Sequence, residues 1–123
     1  MKYLILIRSN ERSRAYWDTL TDEQMTDFGR RHIQLTEDLR ASGELVTAEG
    51  LADISLAKRV AVREGKVQTT DGPFAEAKEY AAGFYVVDCE SEERAIEIAA
   101  QTPDAQSNDV EIWPVLDMSQ WDW

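Results

Sequence analysis

A chain of 123 residues with 43% apolar and 30% charged residues has the make-up of one ordinary globular domain rather than a disordered segment. Thirteen Lys and Arg against 24 Asp and Glu leave a net charge of -11, which repels phosphate backbones and argues against nucleic acid as a partner. No stretch approaches the ~18 apolar residues of a membrane span, and the apolar run after Met1-Lys2 is too short for a signal peptide, so no membrane and a cytoplasmic location are expected.

The first element is a strand from Lys2 to Arg8, whose unbroken run Tyr3-Leu4-Ile5-Leu6-Ile7 suits a strand covered on both faces. Ser9 to Leu20 is polar with two aromatics, Tyr16 and Trp17, and reads as a loop with one helical turn. Thr21 to Gln24 fits a capping box, and Met25, Phe28, His32, Leu35 and Leu39 follow on one helical face with Gly43 as terminator. Leu45-Val46 opens a second strand that Gly50 interrupts. Arg59 to Arg63 alternates, Glu64-Gly65-Lys66 turns, and Val67-Gln68-Thr69 returns: a β-hairpin at the sheet edge or beyond it.

Asp71-Gly72-Pro73 is turn chemistry, combining a side chain that bonds its own backbone, a residue free of Cβ, and a fixed φ. A strand from Gly83 to Asp88 follows, as apolar as the first. Ser91 caps a helix with Glu92 and Glu93 in its first turn and a face of Ala95, Ile96, Ala99 and Ala100, stopped by Thr102-Pro103-Asp104. Val110 to Val115 is the last strand, and Pro114 assigns it to an edge. The order β-α-β, hairpin, β-α-β predicts an α+β class, a ferredoxin-like βαββαβ sandwich with an extra hairpin and two helices on one sheet face. The other face is then bare and apolar, which predicts a homodimer packed sheet to sheet as a dimeric α+β barrel. Trp121 and Trp123 in the tail are expected either to latch onto the partner subunit or to fray.

The segment Asp71-Gly72-Pro73-Phe74-Ala75-Glu76, followed by Lys78-Glu79, resembles the signature of the DGPF branch of the YCII-related proteins. The strands Met1 to Ile7 and Gly83 to Val87, with the late Pro103 and Val110 to Pro114, resemble that family's flanking elements, so the likeness spans nearly the whole chain as a single domain. The resemblance implies a dimerising ferredoxin-like fold and leaves function open. It also implies a possible link to sigma-factor-dependent transcription, through protein contact.

His32, the single histidine, lies on the apolar stripe of the long helix. It is either a core histidine satisfied by backbone or water, or a general acid/base facing a pocket between helix and sheet. In the resembled family a helix histidine paired with an aspartate is the proposed active centre. That resemblance points to His32, with Asp71 as first choice of partner and Asp53 as second. Lys78 and Glu79 read either as a structural pair or as a substrate clamp, with Lys78 meeting a small anion. Phe74 and Trp113 supply aromatic lining, and Trp113 stands where many relatives carry Arg. Cys89, the only cysteine, has no neighbouring base and reads as a small buried side chain. No paired-ligand spacing indicates a metal, no glycine-rich loop a phosphate, and no cofactor is expected. Two functions compete: a cofactor-free enzyme of lyase, isomerase or dehalogenase type acting on a small molecule, and a non-catalytic binding or regulatory module.

Overall fold

The computed structural model describes residues 1–74 and 78–120. Its elements in chain order are β1 (Lys2–Ser9), α1 (Glu11–Asp18), α2 (Asp22–Ser42), β2 (Leu45–Gly50), β3 (Lys58–Arg63), β4 (Lys66–Asp71), β5 (Tyr80–Asp88), α3 (Glu92–Ala100) and β6 (Glu111–Pro114). Short 3-10 turns lie at Ile54–Leu56, Pro103–Gln106 and Met118–Gln120. The class is mixed α+β, as expected.

Strands β2-β5-β1-β6 form one antiparallel sheet in that order, and β3 pairs only with β4 as a separate ribbon. Pro114 sits on the edge strand β6, where its missing N–H costs the ladder nothing. In the ribbon, Glu64 and Gly65 both take positive φ, 52° and 76°, the pair of left-handed residues whose twist matches a two-residue hairpin.

Helices α2 and α3 cover one sheet face. Tyr3, Ile5, Ile7, Tyr85 and Val87 pack there against Leu35 and Leu39 of α2 and Ala95, Ile98 and Ala99 of α3. The opposite face carries Leu4, Leu6, Phe84 and Val86, all half-buried, with Trp113 exposed beside Leu4. So β1, expected to be covered on both sides, is fully covered on one within a single chain.

Local chemistry sets the helix ends. The Thr21 hydroxyl accepts from Gln24 N–H at 3.1 Å while the Gln24 side chain accepts from Thr21 N–H at 2.8 Å, and Gly43 closes α2 at φ 81°. Ser91 caps α3 through Arg94 N–H at 3.1 Å. Two expectations need correction. Ser9–Leu20 is not mainly loop: Asn10 and Ser13 form a reciprocal capping box that nucleates the two-turn α1. On α3 the buried isoleucine is Ile98, not Ile96, because Ala95, Ile98 and Ala99 form the true three-four stripe.

A bidentate pair from Arg94 to Glu44, at 2.8 and 2.9 Å, ties α3 to the start of β2. No helix among the described residues is long and apolar enough to cross a membrane.

Candidate active site

Residues 102–104, read from sequence as a helix stop, do more than end α3. Thr102 is fully buried with its hydroxyl donated to Ala99 O at 2.8 Å, and Pro103 starts a 3-10 turn with its fixed φ. This delivers Asp104 to the side of α2. There His32 Nε2 lies 2.6 Å from Asp104 Oδ1, and His32 Nδ1 lies 2.5 Å from the Tyr85 hydroxyl on β5.

An ionised Asp104 can only accept, so the hydrogen-bond logic assigns the neutral imidazole a proton on Nε2. Nδ1 is then the acceptor, and Tyr85 O–H donates to it. Burial pushes the Tyr85 hydroxyl up to about 12, with the Asp104 charge adding to that and the Thr36 hydroxyl opposing it. The phenol is therefore a protonated donor at neutral pH. Tyr85, His32 and Asp104 form one chain of hydrogen bonds along which a proton can move without any side chain leaving its place.

Aromatic packing holds the imidazole in plane. The His32 ring stacks on Tyr85 at 5.8 Å and 22°, leans on Phe28 at 5.5 Å, and Phe28 meets Trp17 edge-on at 5.4 Å. Two cavities open on either side. One, of about 520 Å³, lies between α2 and strands β2 and β5, lined by His32, Thr36, Ala48, Gly83, Tyr85 and Asp104. The other, of about 770 Å³, lies under α1. Asp104 lines both, so the carboxylate stands at their junction.

Of the remaining expected site residues, Asp53 lines the cavity under α1 without bonding to His32, and the others lie elsewhere. Asp71 ends β4, is 77% exposed, and pairs with Lys58 at 2.6 Å; it does not reach His32. Asp53 turns back to accept from Ser55 N–H at 3.0 Å. The expected dyad with Asp71, or with Asp53, is therefore corrected to His32–Asp104, because the hairpin carrying Asp71 stands apart from the main sheet.

Glu79 forms an ion pair with Arg8, and Arg8 reaches Glu111 at 3.4 Å. The Lys78 backbone carbonyl accepts from Arg14 at 3.1 Å. Phe74 lies under the Arg59 guanidinium, 3.9 Å from its ring centre, on a separate groove. Trp113 is exposed on the uncovered sheet face with its Nε1–H donated to Glu111 at 3.0 Å. None of these four lines either cavity beside His32. Glu76, Trp121 and Trp123 lie outside the described residues.

Gly72 of the signature turn has a steric explanation. Its N–H donates to Ala57 O at 2.8 Å, and any Cβ would collide with Ile54 O and come 3.0 Å from Ala57 O. Cys89 is buried, with Sγ 3.4 Å from Ser91 O. Among the described residues no group of three or more His, Cys, Asp or Glu is placed to hold a metal ion.

Sequence reasoning found His32 but missed Asp104 and Tyr85. Tyr85 sits on the alternation that faces the helices, and a loop leaving one of two side-by-side helices abuts the other. Those were the available signals.

The model of the YCII-related domain matches residues 1–119. An uncharacterised protein of Rhizobium meliloti (strain 1021) is 30% identical over 106 residues, covering 85% of this chain and 82% of that protein.

Proposed function

The chain belongs to the YCII-related domain family, and from that premise we propose that it is a cofactor-free enzyme performing acid/base chemistry on a small molecule. The observation carrying this is the environment of His32. A structural histidine is satisfied by backbone or water; this one is held at both nitrogens by titratable side chains, at 2.5 and 2.6 Å. With both ring nitrogens engaged, His32 transmits protons between the Tyr85 hydroxyl and the Asp104 carboxylate, which meet the ligand in the adjoining cavities. Proton abstraction next to a carbonyl followed by reprotonation or loss of a leaving group is the shared core of isomerase, lyase and dehalogenase reactions, and this constellation supplies it.

The strand order β2-β5-β1-β6 with both helices on one face supports a ferredoxin-like sandwich. The half-covered Leu4, Leu6, Phe84 and Val86 support a homodimer through that sheet face. The residues Asp71 to Phe74 and Lys78-Glu79 support the DGPF branch. A second reading, a binding module for a partner protein, draws on the ribbon, where Val60, Val62 and Val67 are 66–71% exposed.

The test is a screen of small enolisable and halogenated compounds in D₂O, following exchange of a carbon-bound proton or release of halide by NMR. Wild type is expected to turn over at least one compound, and His32→Gln and Asp104→Asn each to lose about 10²-fold or more of that rate. Turnover that survives in both variants would sink the acid/base reading.

A further inference from the structure

We propose that the cavity under α1 binds a small, flat organic carboxylate, with Arg14 holding its acid group and aromatic side chains holding its body. The proposal rests on the acid/base reading of Asp104, which lines the same cavity, and adds the class of ligand.

Arg14 Nη1 donates to Ser9 Oγ and Nη2 to Lys78 O, both at 3.1 Å, and its guanidinium lies 5.5 Å from the Tyr80 ring centre. These contacts fix the plane of the group and use two of its five N–H donors. Among the described residues no carboxylate pairs with it. In a chain of net charge -11, an oriented guanidinium without an ion-pair partner, at the wall of a cavity, is an anion receptor in waiting.

The other charged groups facing this cavity decide how much negative charge it accepts. Arg8 meets two carboxylates, Glu79 and Glu111, and is more than neutralised. Asp104 is bonded to His32, and Asp53 to its own turn. Asp18, one turn along α1 from Arg14, lines the same space. With Asp18, Asp53 and Asp104 all lining the cavity, attraction for an anion is confined to the spot on Arg14 itself, which leaves room for a single carboxylate and disfavours a phosphate dianion.

The walls specify the rest. Tyr16, Trp17 and Tyr80 line the cavity, and Trp17 is braced edge-on by Phe28. Such faces take a flat apolar body, and about 770 Å³ is the size of an ordinary small-molecule site.

The experiment titrates the folded full chain with benzoate, cinnamate and their neutral amides, benzamide and cinnamamide, by ligand-observed NMR and through the His32 Cε1–H signal. The acids are expected to bind and to move that signal. Arg14→Gln is expected to weaken the acids by about ten- to a hundredfold while leaving the amides alone, and Arg14→Lys to recover part of the loss. Acids and amides binding equally, acids indifferent to Arg14→Gln, or neither class binding would each overturn the carboxylate site. Acid binding that depends on Arg14 in a protein whose proton exchange survives His32→Gln would instead sink the acid/base reading and leave this site standing.

Discussion

Two regions are built on opposite plans. At residues 71–74 backbone holds backbone: Gly72 N–H meets Ala57 O, and the Ile54 carbonyl fills the space a side chain would need. At His32 the backbone is ordinary helix, and three side chains from α2, β5 and the 103–106 turn do the holding. The first plan tolerates no side chain at Gly72 and offers no reactive group to a cavity beside His32. The second tolerates any local sequence that delivers the right atoms, and its atoms are reactive. A segment can therefore be conspicuous because its packing is strict, while the bonded His32–Asp104–Tyr85 cluster lies in stretches with no motif at all.

The largest effect that would sharpen this contrast comes from Gly72→Ala. Its Cβ has nowhere to go without moving the 54–57 turn, so a loss of about 3 kcal/mol of stability is expected in denaturant unfolding. The His32 tautomer, read by ¹⁵N NMR, should stay on Nε2. A variant in which both change would show that the two regions are one unit.

Next in size is the response of Tyr85 to alkali. Its hydroxyl is raised from 10.0 to about 12 by burial, so above pH 10 the unfolded chain ionises while the folded one keeps its proton. Stability due to this group is thus intact below pH 10 and declines as pH rises toward 12, by about 2 kcal/mol in all. Tyr85→Phe should lack that decline relative to wild type in unfolding curves at pH 9 and 11.5. Parallel curves for the two proteins would place the phenol in solvent-like surroundings.

Smallest is Asp71→Asn. The Lys58–Asp71 pair is exposed, and screening by water leaves it little to contribute, so no measurable change in stability or in the His32 tautomer is expected. A changed tautomer would restore Asp71 as the partner of His32.

How far the sequence reaches follows from the range of the interaction involved. Thr21 with Gln24, Gly43 and Ser91 mark their helix ends within four residues, and Glu64-Gly65 marks its hairpin, because caps and turns are local hydrogen-bond problems. Unbroken apolar runs identify β1 and β5 as strands without marking which face the helices cover, and composition excludes a membrane-spanning helix, since both depend on residue type alone. Asn10 and Ser13 were equally local and went unread, the aromatics of α1 having masked its polar cap.

The centre itself lay beyond such rules. Asp104 is 72 residues from His32 and Tyr85 is 53 away, and of 24 acidic residues none is marked by its neighbours as the one that arrives. The choice between Asp71 and Asp104 is made by whether the hairpin folds onto the sheet or away from it. Pairing of β3 with β4 alone, instead of with the main sheet, settles it. Most helix ends, the strands and the family are written in the residues themselves, through short-range chemistry and composition. The acid that meets the histidine was decided by tertiary structure, because only the packing of α2 beside the turn after α3 brings those atoms within 2.6 Å.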